Sequence, residues 1–170
     1  LEARKGPRLA VQALAHTPPD VRMVMASDGP QEESLKRLAR RLGVLDRIDF
    51  RGRVPRDEFF DLLATSAATL FTGLREEGGA SLAEAMFCGS PVVVLANGGA
   101  RTVAAAATDP ARVILVPPGG FRDTAERLGA AMTRFCREPS GADGPTLDKR
   151  DSQAAFRRVF EQTVRAAEDA

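Results

Sequence analysis

The sequence predicts an open α/β fold, in which helices cover both faces of a doubly wound parallel sheet. Short apolar runs alternate along the chain with amphipathic stretches of roughly 8–14 residues. Glycine, proline, asparagine and aspartate mark the ends of most of these segments. No two apolar runs are joined by the two-residue turn typical of an antiparallel hairpin. Together these three observations favour repeated β-α units over a β-meander.

The strands are predicted where short apolar runs are rich in β-branched residues. A run of this kind, when turn residues bound it, is typical of a strand buried on both faces. The five predicted strands cover residues 21–26, 47–51, 67–71, 92–95 and 113–116.

The helices are predicted from apolar residues that recur with a period of 3.6. In the second helix Leu35, Leu38, Ala39 and Leu42 follow this period, and Gly43 supplies a typical stop. The six predicted helices of this region cover residues 8–16, 32–42, 57–63, 80–87, 101–107 and 124–137.

We expect the 170 residues to form one α/β domain over residues 1–138, followed by a linker and a last helix. Residues 139–151 are rich in Gly, Pro, Asp and Ser and lack an apolar period, so they are predicted to be a linker. Residues 152–170 return to the helical period, and this C-terminal helix has an apolar face that must pack against another surface. That face carries Phe156, Val159, Phe160 and Val164.

The composition argues against several classes of partner. A formal net charge of +1 and nine Phe without Trp or Tyr do not favour binding to nucleic acid. No apolar run is long enough to cross a bilayer and no signal peptide opens the chain, so we expect a cytoplasmic location. Cys88 and Cys136 lack metal-ligand spacing and are expected to be small buried thiols. Leu1 in place of Met suggests a fragment of a longer protein.

The loop before the fourth helix has the residues of an anion site. In open α/β sheets, ligands collect where the carboxyl ends of strands lead into helices. Gly78 and Gly79 precede the helix that starts at Ala80, so a ligand can approach unpaired backbone N–H groups closely. Glu76 and Glu84 flank this turn, and carboxylates accept strong hydrogen bonds from hydroxyl groups. A nucleotide sugar fits this combination, although a generic ligand site or a structural turn is also compatible with the spacing.

The same residues resemble the Glu-x7-Glu motif of the group 1 retaining glycosyltransferases, family 4. After Glu84 the chain continues Ala-Met-Phe-Cys-Gly-Ser-Pro-Val-Val, which is similar to the family's typical continuation. Four further motifs follow the family's order: Lys5-Gly6, Ser27-Asp28-Gly29-Pro30, Phe50-Arg51-Gly52 and Asn97-Gly98-Gly99. The resemblance therefore spans nearly the whole chain.

This resemblance implies the C-terminal, Rossmann-like half of the two-domain GT-B architecture and assigns roles to individual residues. Glu76 would contact the donor sugar and Lys5 the diphosphate, so both are the expected catalytic residues. Glu84 would hold the ribose hydroxyls. The remaining expected donor-binding residues are the backbone of Gly78, Gly79 and Ala80, the Ser81 hydroxyl, the turn at Gly29, and Arg53, which would border the base unless it is an ordinary surface residue.

The implied reaction transfers a hexosyl group from a nucleoside diphosphate sugar to an acceptor hydroxyl with retention of configuration, as in carbohydrate biosynthesis. No cofactor or metal ion is expected beyond the nucleotide sugar itself. The acceptor site would belong to an N-terminal domain outside this chain, which would also mediate any peripheral contact with a membrane acceptor. The chain alone is therefore expected to be inactive and to bind its donor weakly.

The chain also departs from the family's pattern. The first strand of the domain, and an Arg that usually precedes the Lys by five or six positions, would fall at or before Leu1. Arg101 lies where many members have an acidic residue after the Gly-Gly turn. A sugar-nucleotide epimerase or phosphorylase of the same architecture, and a non-catalytic nucleotide-binding module, are the alternatives.

Overall fold

The computed structural model describes residues 1–74 and 80–138 of the chain. Glu76, Gly78 and Gly79 lie outside the described residues, as do the predicted linker 139–151 and the predicted C-terminal helix 152–170. The structure therefore does not test the expectations for those residues.

All strand pairs in the described residues are parallel, as the sequence predicts. Five strands follow in chain order, each within one of the predicted runs. β1 pairs with β2, while β4 lies between β3 and β5. The strands are β1 (Met23–Met25), β2 (Ile48–Phe50), β3 (Thr69–Phe71), β4 (Val92–Leu95) and β5 (Val113–Val116).

Six α-helices alternate with these strands and match the predicted helices to within a few residues. The largest shifts are of three residues: the fifth helix begins at Gly98 rather than at Arg101, and the sixth begins at Phe121 rather than at Thr124. Short 3₁₀ turns at Ala3–Lys5, Leu45–Arg47 and Pro110–Arg112 complete the described elements. The helices are α1 (Pro7–Leu14), α2 (Glu32–Arg41), α3 (Arg56–Thr65), α4 (Ala80–Phe87), α5 (Gly98–Ala104) and α6 (Phe121–Arg137).

β4 separates two hydrophobic cores, one on each face of the sheet. Successive side chains of a strand point to opposite faces, and all four of these are buried. Val93 and Leu95 pack into the core that α1, α2 and α6 cover. Val92 and Val94 pack into the core that α3, α4 and α5 cover. Helices on both faces confirm the doubly wound α/β architecture.

The strands form two sheets rather than the one sheet that the sequence predicts. β1 and β3 are both end strands, and a cavity of about 370 Å³ lies between them. The side chain of Val24 in β1 lines this cavity, and the residue is 42% exposed. An end strand has backbone N–H and C=O groups with no ladder partner on one side. The strand pairing is therefore interrupted between β1 and β3. We call this space the inter-sheet cavity.

The structure contradicts one further expectation, which concerns the two cysteines. Cys88 is partly buried, but Cys136 is exposed, so the expectation of two buried thiols is wrong for Cys136. Its side chain lies at the inter-sheet cavity. None of the helices in the described ranges has the length and apolar content needed to cross a membrane.

Candidate functional site

A second cavity, of about 440 Å³, lies at the carboxyl ends of β1 and β3. We call it the strand-end cleft. Lys5 and Ser81 line it, together with Gly73 at the end of the segment after β3. Asp28 and Arg53, which follow β1 and β2, line its other side. The turns that follow β1, β2 and β3 therefore meet at one cleft.

Close packing at Gly6 fixes Lys5 beside the end of β3. Gly6 has a left-handed backbone with φ of 64°, and a Cβ at this position would overlap the carbonyl oxygen of Thr72. The Thr72 hydroxyl donates a hydrogen bond of 3.0 Å to the carbonyl oxygen of Lys5. The Lys5 backbone is therefore held from the strand side, and its exposed side chain borders the cleft.

Hydrogen bonds from two directions hold Leu74, which precedes the loop that contains Gly78 and Gly79. The backbone N–H of Leu74 donates to the carbonyl oxygen of Arg4 at 2.8 Å. The Asn97 side-chain amide donates to the carbonyl oxygen of Leu74 at 2.5 Å. At the other end of the loop, Ala80 and Ser81 are exposed in the first turn of α4. On the two sides of this loop, Gly73 and Ser81 line the cleft.

Arg53 lies at the rim of the cleft. Its side chain is 84% exposed, and its Nη2 atom lies 3.5 Å from Oδ1 of Asp28. Both residues line the cleft, which is compatible with the predicted role of Arg53 and with a surface role. Gly29 is not among the residues that line the cleft. A Cβ at Gly29 would overlap the backbone nitrogen of Leu1, so the glycine allows Leu1 to pack closely against the turn after β1.

Glu84 lies one turn beyond Ser81 on α4, outside the residues that line the cleft. Its side chain is 32% exposed, and its Oε1 atom accepts a hydrogen bond of 3.1 Å from Nη2 of Arg56. The structure thus brings Lys5, Arg53 and Ser81 together around the cleft and places Glu84 at the adjacent surface towards α3.

Cations outnumber carboxylates among the described residues that line the cleft. Arg4, Lys5 and Arg53 supply positive charge, while Glu2 and Asp28 supply negative charge. Arg4 donates a hydrogen bond to Glu2 and holds the pKa of its carboxyl below the usual range. The described side chains that line the cleft therefore carry a net positive charge, which favours an anionic ligand. The described ranges contain no group of three residues that would bind a metal ion.

Sequence reasoning missed Thr72, Asn97 and Arg56 as supports of this region. Thr72 directly follows the predicted strand at residues 67–71 and Asn97 opens the predicted Gly-Gly turn, and their partners Lys5 and Leu74 are 67 and 23 residues away. Arg56 gave the one usable signal. It is a cation beside the predicted helix start at residue 57, and it is the first residue of α3 in the structure, where carboxylates are normally preferred.

The reactivity of Cys88 is expected to report on the charge of Glu84. Burial and then the carboxylate of Glu84 raise the pKa of the Cys88 thiol, and less thiolate is present at a given pH when this pKa is higher. Glu84→Gln should therefore shift the pH profile of Cys88 alkylation to lower pH. Iodoacetamide rates measured by peptide mass spectrometry from about pH 7 to pH 10 test this around the ordinary thiol pKa.

Cys136 is the internal control for that experiment. Burial and Asp20 raise the pKa of its thiol, and Glu84 is not among the causes. The alkylation profile of Cys136 should therefore stay unchanged in Glu84→Gln. Equal shifts at both thiols would contradict a local effect of Glu84.

Comparison with curated proteins finds longer glycosyltransferases. The chain is 33% identical over 170 residues to a D-inositol 3-phosphate glycosyltransferase of Xylanimonas cellulosilytica, covering 95% of this chain and 40% of that protein. It is 31% identical to a 2-deoxystreptamine N-acetyl-D-glucosaminyltransferase of Streptomyces fradiae, covering 68% of this chain and 27% of that protein. The chain thus spans well under half the length of these relatives.

Comparison with solved structures agrees on the fold. Anabaena HepE in complex with UDP and glucose superposes with a TM-score of 0.68 and 25% identity, covering 99% of this chain and 45% of that one. Sucrose-phosphate synthase from Thermosynechococcus elongatus superposes with a TM-score of 0.69 and 27% identity, covering 99% and 43%. The family model described as glycosyl transferases group 1 matches residues 1–136. This chain therefore belongs to the group 1 glycosyl transferases and has the Rossmann-like fold of the C-terminal half of a GT-B enzyme.

Proposed function

We propose that this chain is the donor-binding domain of a retaining glycosyltransferase, which transfers a sugar from a nucleoside diphosphate sugar to an acceptor hydroxyl. The observation that carries the proposal is the strand-end cleft, where Lys5 and the first turn of α4 border one space. The complexes of Anabaena HepE with UDP and with UDP and glucose support the donor class.

The diphosphate of the donor would lie between Lys5 and the start of α4. Unpaired N–H groups and the partial positive charge at a helix N-terminus favour an anion, and the Ser81 hydroxyl adds a donor. Lys5 would stabilise the negative charge that develops on the departing diphosphate as the glycosidic bond breaks. This charge stabilisation by protein groups needs no bound metal ion, and we propose that none takes part.

The carboxylates would hold the hydroxyl groups at the two ends of the donor. In this proposal Glu76 contacts the transferred sugar, while Glu84 accepts hydrogen bonds from the ribose. The backbone of Gly78, Gly79 and Ala80 holds phosphate oxygens between them, and Arg53 borders the base at the cleft rim.

The rest of the active site would come from a second domain of the same enzyme, which carries the acceptor site. The relatives' greater length supports this division. We also propose that the inter-sheet cavity is the place of a further parallel strand that leads into Leu1. The cavity separates two parallel end strands, and Leu1 lies against Gly29 at the carboxyl end of β1. Without these parts, the chain is expected to bind nucleotides weakly and to lack transfer activity.

Binding of nucleoside diphosphates tests the proposed function directly. In this experiment UDP, GDP or ADP is added at millimolar concentration to the ¹⁵N-labelled 170-residue chain. We expect at least one of the three to shift the amide resonances of Ala80 and Ser81. Phosphate groups cause the shift in this proposal, so the matching nucleosides should produce much smaller changes. Cys136, beside the inter-sheet cavity, provides a resonance that should stay unchanged. If no diphosphate moves the Ala80 and Ser81 signals, the binding proposal fails.

A further inference from the structure

Arg56 makes two contacts that fix its guanidinium group beside Glu84. Nη2 of Arg56 donates a 3.1 Å hydrogen bond to Oε1 of Glu84, which lies 28 positions later in the sequence. The Cζ atom of Arg56 lies 4.9 Å from the centre of the Phe60 ring. A cation at this distance over an aromatic face is attracted to it. The guanidinium is therefore held between the ring on α3 and the carboxylate on α4.

The position of Arg56 is a poor one for helix stability. Arg56 is the first residue of α3, and the positive end of the helix dipole disfavours a cation there. Its side chain is 75% exposed, and exposed ion pairs of this kind contribute little to folding. Asp57 and Glu58, which follow in the same turn, are the residue type that this end of a helix favours. The contact with Glu84 is thus better explained by what it does to Glu84 than by what it adds to α3.

The hydrogen bond uses only one of the two carboxylate oxygens. Within residues 1–74 and 80–138, Oε2 of Glu84 accepts no hydrogen bond, whereas Oε1 is held by Arg56. A carboxylate oxygen has two lone pairs and accepts hydrogen bonds from neighbouring hydroxyl groups. Fixing one oxygen removes rotamer freedom from the Glu84 side chain before a ligand arrives, which lowers the entropic cost of binding.

We propose that Arg56 is a positioning residue for ribose recognition. It holds Glu84 so that the free oxygen accepts hydrogen bonds from the ribose hydroxyls, and it thereby sets the preference for ribonucleotides over 2′-deoxyribonucleotides. This inference rests on the proposed function of Glu84. It adds a specificity determinant, on α3, to a site whose other described residues lie elsewhere.

The test measures a ratio of affinities rather than a single affinity. Dissociation constants for UDP, GDP and their 2′-deoxy counterparts are measured by NMR titration on the 170-residue chain. The 2′-deoxy nucleotide lacks one hydroxyl group that can donate a hydrogen bond to Glu84. For the base that binds, we therefore expect wild-type protein to bind the 2′-deoxy form about tenfold more weakly than the ribonucleotide. In Arg56→Ala this ratio should fall to about threefold or less, because Glu84 is no longer held.

Matched variants separate positioning from other effects. Arg137→Ala removes a similarly exposed arginine, bonded to Asp20 at 2.9 Å, and should keep the wild-type ratio. Glu84→Gln should lower the ratio as Arg56→Ala does, and the double variant should show no further loss, because both changes disable one unit. Arg56→Lys keeps the charge without the planar fork and should recover only part of the ratio. Thermal unfolding of each variant confirms that the fold is retained.

The possible outcomes distinguish failure of this inference from failure of the proposed donor-binding function. If the wild type discriminates against the deoxy form and Arg56→Ala discriminates equally well, the inference is wrong while the donor site stands. A tighter affinity for UDP or GDP in Arg56→Ala would also overturn it, since Arg56 would then compete with the ribose for Glu84. If the wild type binds no nucleoside diphosphate, the proposed function fails and the role of Arg56 fails with it.

Discussion

Gly6→Ala is expected to lower the free energy of unfolding by about 2–5 kcal/mol, the largest effect we expect from adding one methyl group. The left-handed backbone at φ of 64° costs a residue with a Cβ about 1–2 kcal/mol. The added Cβ also overlaps the Thr72 carbonyl, and relieving such overlap costs about 1–3 kcal/mol more. Domains of this size are stable by only about 5–15 kcal/mol, so the loss is large. Urea unfolding followed by circular dichroism measures it.

Gly43→Ala is the matched control for the Gly6 variant. Gly43 has nearly the same φ, 68°, but a Cβ at this position would meet no atom within 4 Å. Only the backbone cost remains, so the expected loss is about 1–2 kcal/mol. Equal losses at both positions would show that the close approach between Gly6 and Thr72 contributes nothing to stability.

Lys5→Ala is expected to reduce kcat of the complete enzyme by about 100-fold or more. Removing one preorganised group that stabilises developing negative charge typically costs this much. The fold should be retained, because Thr72 bonds to the backbone carbonyl of Lys5, which the substitution leaves in place. Transfer of sugar from the natural donor, measured at saturating concentration, gives kcat, and thermal unfolding checks the fold.

Lys36→Ala provides the matched control for loss of a lysine. Lys36 bonds to Glu32 at 2.7 Å on α2, and it does not line the strand-end cleft. Its kcat should remain at the wild-type value. Lys5→Arg should keep part of the activity, because it retains the charge with a different geometry. A kcat for Lys5→Ala equal to that of Lys36→Ala would remove Lys5 from the proposed mechanism.

The fold was predictable because its periodic signals are local. The helical period of Leu35, Leu38 and Ala39 correctly predicted α2, and these side chains are buried. The β-branched run at residues 92–95 likewise matches the bounds of β4. The predicted strand at residues 21–26 shrinks to Met23–Met25, and β1 has a pairing partner on only one side. A sequence pattern does not show whether both neighbours of a strand are present.

The candidate site was predictable only in its local parts. The sequence identified Lys5 and Ser81, and both line one cleft in the structure. The hydrogen bond between Arg56 and Glu84 joins two helices, and its partners share no motif or spacing. Such contacts depend on how α3 packs beside α4, which is a property of the tertiary structure. Residue patterns thus identify which side chains carry chemistry, but not which neighbours orient them.

The alternation of side chains along β4 makes the two halves of this molecule separately adjustable. Val92 and Val94 support the layer that presents Glu84, whereas Val93 and Leu95 support the layer beneath Lys5. Redesign of the interior on the side of α4, which presents Glu84, is therefore expected to leave the packing on the side of α1 and α6 in place. β3 and β5 connect the two layers in the same alternating way, since Leu70 and Ile114 pack against one core while Phe71 and Val113 pack against the other.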